Sequence, residues 1–328
     1  MRRYIPLAVL IFAGCTAQEG KPQAVSDSGD PTVVITGDTG DTWTETGTDF
    51  DCSAPFPAQP FQIEIHPIQT QEDFDFTRDG YLVYQLGEAV VGTDKQGNIT
   101  VLSPGAAGDP RGIHGLSDGR IVVISNWDGS IKIVDPATNG LDILAGGLDA
   151  PNGVEVDSSD RIYFTSHSEV GWTEPYGREK HLVYSWEPED GRSANGIALS
   201  EDEQRLTVAM PKGDSTDFVT LDRLGSDEWG NVQVLRTDPG WHSALDTDVC
   251  GNLYTVDYST GALRRIHPDG TDEALGILPA EEIWGFSAMR FGPGYGGWER
   301  DRLYVTSRNS EIYEIFVGIP GRRHPTAL

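Results

Sequence analysis

The sequence predicts an all-β chain folded as a six-bladed β-propeller closed by an N-terminal strand, and three observations predict it. First, residues 193–210 read as a short alternating strand (Ile197 and Leu199 on one face), a polar turn and a second alternating strand, the period-2 pattern of an antiparallel pair. Second, the chain repeats this unit. Residues 151–166 copy it with Asn152 in place of Asn195, and residues 110–125 copy it with Arg111 there. Weaker copies start at Glu72, Ser243 and Ser287, so the six anchors lie roughly 40 to 48 residues apart, the period of four-stranded blades. Third, the 39 glycines suit a chain of many tight hairpins, and no long helical periodicity follows the first segment.

The elements follow in chain order. Residues 1–15 begin with Arg2 and Arg3, continue as a short apolar run, and end in Phe12-Ala13-Gly14-Cys15. The run is too short to span a bilayer, so it reads as an export signal. Its end resembles the bacterial lipobox, with Phe12 where leucine is more usual. The resemblance implies that Cys15 is acylated and that the protein is held at the bacterial cell envelope by lipid alone, on the periplasmic or surface face of the outer membrane. The alternative is an ordinary secretory signal with a chance cysteine. Residues 16–51 are rich in Gly, Asp, Thr, Ser and Pro, with too little apolar surface to offset ordering entropy, and are expected to be a disordered acidic linker. Asp38, Asp41 and Asp49 match no complete calcium-loop spacing.

The propeller is expected over residues 52–328. Once Cys15 is assigned to lipid, Cys52 and Cys250 are the remaining thiols, and in an exported protein two such cysteines usually pair. Free buried thiols are the alternative. Residues 61–68 alternate cleanly, whereas the last copy runs out of chain before its fourth strand. Residues 61–68 are therefore expected to supply that strand and close the ring, which removes exposed sheet edges. Two longer stretches, 169–180 and 291–300, are aromatic- and glycine-rich. They read either as loops over one mouth of the channel or as packing for their tryptophans.

The net charge of −27, from 24 basic and 51 acidic residues, argues against nucleic acid and against an anionic membrane surface as partners. A monomer is expected.

The phrases Asn195-Gly196-Ile197-Ala198-Leu199-Ser200 and Asn152-Gly153-Val154-Glu155-Val156-Asp157, with residues 251–258, resemble the senescence marker protein/gluconolactonase family. Relatives of that family include the paraoxonases and strictosidine synthase-like proteins. The likeness covers residues 61 to 318. It implies a six-bladed propeller with a divalent cation, usually calcium, at the channel mouth, and in many members hydrolysis of lactones or esters. By position it implies that Glu72, Asn152 and Asn195 hold the metal. A hard cation takes such oxygen ligands and can polarise an ester carbonyl. The plain alternative for each is a turn residue at a strand entrance.

Two positions depart from the family. Ser243 stands where a metal-binding aspartate is usual, and Asp246, three residues on, is expected by strand alternation to face the opposite side. Arg111 stands where paraoxonases carry a histidine, with His114 displaced. Arg111, His242 and Ser243 are the candidates for orienting substrate or moving protons, although a lone loop histidine is more often structural. No nucleophile-elbow phrase is present. Two functions follow: a calcium-dependent lactonase or esterase acting on a small lactone or ester, and a non-catalytic surface propeller that binds a ligand or a protein.

Overall fold

The computed structural model describes residues 50–53, 61–70, 72–105, 109–187, 191–279, 285–308 and 311–327. Cys15 and the 16–49 part of the expected linker lie outside them. Alternation produces twenty-four strands among these residues, arranged as six four-stranded antiparallel sheets. The inner strands are Phe74–Phe76, Pro110–Gly115, Val154–Val156, Ile197–Leu199, His242–Thr247 and Phe286–Phe291. Blades one to five take their four strands consecutively. In the sixth, Ile63–His66 is the outermost strand and pairs with Ile312–Phe316 in the register Ile63↔Ile315 and His66↔Ile312. Among the described residues no helix is long and apolar enough to cross a membrane.

The core lies between blades. Fully buried aromatic side chains such as Phe74, Phe164, Phe218 and Phe286 fill the wedge between neighbouring sheets. The repeated Arg-Gly and Asn-Gly phrases have a packing cause. A Cβ at Gly112 would lie 2.7 Å from Asn152 O, at Gly153 2.4 Å from Asn195 O, and at Gly196 1.9 Å from Ser243 O. Each glycine therefore lets one inner strand approach the anchor carbonyl of the next blade. The repeat is set by convergence on the axis, not by a hairpin turn. Cys52 and Cys250 form a disulfide, so the pairing reading holds over the free-thiol alternative.

Of the two readings of the aromatic-rich stretches, packing holds and the loop reading is corrected. Residues 169–173 form a strand, Glu169–Thr173, and the turn after it joins third to fourth strand. That turn, like the one after Phe286–Phe291, lies at the end of the blades away from the six anchors. Tyr176 there reaches Asp118 in a neighbouring turn of the same face. Trp298 is buried against Phe76 and Tyr304, and Trp172 stacks on His181 and Arg161. Their bulk is used in packing.

Candidate functional site

All six anchors begin or immediately precede inner strands, so they gather at one mouth of the channel. A narrow recess of about 20 Å³ opens there, lined by Asp73, Arg111, Asn152, Ser243, Ser287 and Arg290 among others. Glu72 stands beside it. One carboxylate oxygen accepts from Arg111 Nη1 at 2.9 Å, and the other pairs with Arg308 Nε. Arg111 also grips Asp109, with Nη2 and Nε at 2.9 and 3.2 Å from Oδ2. Ser287 Oγ donates to the Glu72 carbonyl at 2.6 Å. Burial raises the Glu72 carboxyl above its ordinary range, with Arg111 and Arg308 pulling the other way.

The structure thus brings Arg111, Asn152 and Ser243 to one recess, with Glu72 tied to Arg111 at its edge. Asn195 contributes through its neighbour Gly196, and its carbonyl accepts from Thr165 Oγ1 at 2.6 Å. His242 is a correction. Ser243 lines the recess, whereas the neighbouring His242 is buried in the sheet interior. Its Nδ1 lies 3.2 Å from Thr255 Oγ1, its Nε2 3.2 Å from Pro239 O, and its ring edges onto Phe218. Burial lowers its pKa. It is no base for Ser243, whose Oγ faces the Phe286 carbonyl.

A second layer lies deeper. Three residues after each anchor come Asp75, His114, Glu155, Ala198, Asp246 and Arg290, all buried. Asp246 is a second correction. It enters this axial group because the pairing register shifts between His242 and Ala244, which resets the alternation. Its Oδ2 accepts from Phe291 N at 2.6 Å, across to the next blade. Asp73 does the same for Ile113 N and Asp75 for Gly115 N, so these carboxylates stitch neighbouring inner strands. Burial pushes Asp73 and Asp246 up to about 6, with Arg290 opposing it. Against the same burial, His114 and His324 hold Asp75 well below the usual carboxylate range, and Arg322 with His114 brings Glu155 to about 2.

Two residues at the mouth carried no pattern in the sequence. Trp127 and Trp241, 86 % and 41 % exposed, stand on mouth-face turns of blades two and five. Asn126 N bonds Asp109 O and Tyr258 N bonds Trp241 O, which fixes both turns at that face. In a ring of six, blades two and five are opposite each other. Their exposure was the available signal, and exposure is a property of the fold.

No protein-family model and no curated protein matches the chain. Solved structures do. A gluconolactonase from Xanthomonas campestris superposes with a TM-score of 0.63 at 20 % identity, covering 79 % of this chain and 90 % of that one. Regucalcin from Agrobacterium tumefaciens, a calcium-binding protein, gives 0.63 at 16 % identity over 82 % and 98 %. This is the fold of the gluconolactonases and regucalcin. Virginiamycin B lyase from Staphylococcus aureus gives 0.55 at 11 % identity over 78 % and 99 %. The gluconolactonase-type fold therefore serves lyases as well, and the site itself must carry any argument about chemistry.

A cation does not fit the mouth of this gluconolactonase-type propeller. Both oxygens of Glu72 are taken by guanidinium groups, Ser243 offers no carboxylate, and the two fixed positive charges of Arg111 and Arg308 stand against Glu72. A divalent ion could be held deeper, where Asp75, His114 and His324 place ligand atoms within 4.8 Å of one another. There it would compete with existing bonds. His324 Nε2 contacts both Asp75 oxygens at 3.0 and 3.1 Å, and His114 Nε2 contacts Glu155 at 3.2 Å.

Proposed function

We propose that the protein is a lipid-anchored propeller whose axial recess binds the carboxylate, ester or lactone group of a small molecule without a metal ion at the mouth. The observation that carries this reading is Glu72 bracketed by Arg111 and Arg308, which replaces an ion's charge with two guanidiniums. Arginine forks suit planar oxygen pairs. Asn152, Ser243 and Ser287 add polar groups at the narrow recess, which admits the polar head of a ligand and leaves its remainder outside. Trp127 and Trp241 offer apolar faces on either side of the mouth for the rest of the ligand.

Calorimetry with a panel of small carboxylates and lactones tests the reading. The expected result is saturable binding that persists in EDTA and weakens about tenfold or more in Arg111→Ala, as loss of a charge-assisted hydrogen bond implies. Binding by no member of the panel, or binding untouched by the substitution, would overturn it.

Hydrolysis is the second reading, favoured by Glu72. Its raised carboxyl could take a proton from attacking water while Arg111 stabilises the oxyanion. It predicts lactone or aryl-ester turnover in EDTA that is lost in Glu72→Gln. Turnover that needs added calcium would instead support the calcium-dependent lactonase implied by the sequence resemblance.

The anchor is assigned to Cys15 from its lipobox-like setting. Metabolic labelling with a fatty acid should mark the expressed protein and fail in Cys15→Ser, with release of that variant from membranes. Equal membrane retention by both would sink the assignment.

A further inference from the structure

The chain after the last strand passes under the end of the channel opposite the recess. Val249 N donates to Pro320 O at 3.0 Å, Gly321 N to Arg300 O at 2.8 Å, and Arg322 N to Thr247 O at 2.9 Å. Thr326 and Tyr295 bond through their hydroxyls. From this segment two side chains enter the axis, both buried. Arg322 Nη2 pairs with Glu155 and donates to Val156 O at 3.0 Å. His324 sits on Asp75, its ring parallel to that of His114 at 5.0 Å.

The inner strands alone leave the axis short of positive charge. The inner strands bury four carboxylates, Asp73, Asp75, Glu155 and Asp246, against one permanent cation, Arg290, with His114 beside them. Arg290 is held by the carbonyls of Leu245, Met289 and Val154 and lies 4.0 Å from Asp73 and 3.8 Å from Asp75. Its Nε has no hydrogen-bond partner among the described residues. One guanidinium cannot offset four buried acids, since an uncompensated buried charge is among the costliest features a fold can carry. Arg322, which faces both Glu155 and Asp246, supplies a second permanent charge, and His324, whose pKa burial lowers, caps Asp75 through hydrogen bonds.

We infer that the C-terminal segment is a built-in counter-ion: Arg322 fills from within the chain the role that a divalent cation would otherwise play at the axial carboxylates, while His324 caps Asp75 by hydrogen bonding. The propeller is then independent of calcium, and removing the charge of Arg322 opens the axis to a divalent ion. This role does not depend on what binds at the opposite mouth.

The test uses the full chain with calcium chloride as the only added ion, read by calorimetry and thermal unfolding. Wild type is expected to bind no calcium saturably and to keep its Tm within a degree. Arg322→Met should lose roughly 5–10 °C, as breaking a buried pair implies for a chain of this size. It should also bind one calcium ion and recover several degrees with it. Arg322→Met combined with Glu155→Gln should regain most of the loss and no longer respond to calcium. Saturable calcium binding at the axis of the wild type, or an Arg322→Met loss that neither calcium nor Glu155→Gln relieves, overturns the inference. Should Arg322→Met alone not fold, a folded double variant supports it and an unfolded one refutes it.

Discussion

Replacing Arg290 by Met is expected to cost about 5 kcal/mol at pH 8, because it strips the permanent cation of the inner strands from the four buried carboxylates around it among the described residues. Methionine keeps most of the volume, so the loss reports charge rather than a cavity. The pH dependence carries the sign of the cause. Asp73 and Asp246 titrate at about 6 in the fold, above their unfolded value of 3.8. Between those values the folded state binds more protons, so these two groups favour folding at low pH and withdraw that stability as pH rises through about 6. Asp75 and Glu155 act oppositely. Their folded pKa values are depressed, so their contribution is present above the unfolded values and is lost as pH falls through the folded ones. Arg290 pulls Asp73 and Asp246 down. Without it both rise further and can escape their cost by taking protons. The deficit of Arg290→Met should therefore be largest at pH 8 and clearly smaller at pH 5. Paired denaturant titrations of wild type and variant at the two pH values check this, with Arg290→Lys expected to recover part of the loss. A deficit equal at both pH values would mean that packing, not charge, is what Arg290 supplies.

The blades were legible because their cause is local. Alternation, turn chemistry and the spacing of the six anchors are all written within a few residues of each strand. The anchor register was legible too, since Arg111, Asn152 and Ser243 do meet at one recess. The deeper layer was not. Asp246 was assigned to the wrong side because a register shift two residues earlier is invisible in a period-2 pattern. Arg308, which holds Glu72, comes from the far end of the chain and follows no repeat. Arg322 and His324 lie beyond the last strand, in a stretch without alternation, and their role exists only once Glu155 and Asp75 are buried opposite them. Even the Asn-Gly phrases, the most specific signal in the sequence, are explained first by close strand packing at Gly153 and Gly196.

A chain that begins at residue 69 is expected not to yield a stable folded monomer. It lacks the strand Ile63–His66, leaving Ile312–Phe316 as a bare edge with unpaired backbone groups. It also loses packing. Phe61 and Ile63 lie against the cluster shared by blades five and six, and Ile68 is buried against Phe74 and Phe76 in the cluster between blades six and one. Full burial of Ile68 and partial burial of Phe61 and Ile63 are together worth about 4 kcal/mol, a sizeable part of the 5–15 kcal/mol that holds a typical domain together. Glu314 would lose its contact with His66 and keep Lys95. Truncation also removes Cys52, so a full-length Cys52→Ser variant separates the two effects by retaining the strand without the disulfide. That variant should fold and melt lower, while the truncated chain should aggregate or run as an expanded species in gel filtration. A synthetic peptide spanning residues 61–70 should bind the truncated chain and restore its β-sheet circular dichroism, as strand addition to an open edge requires. A truncated chain that melts cooperatively near the wild-type Tm would show that the ring holds without residues 61–68, and that the pairing Ile63↔Ile315 adds to a propeller already closed by the contacts between its first and sixth inner strands.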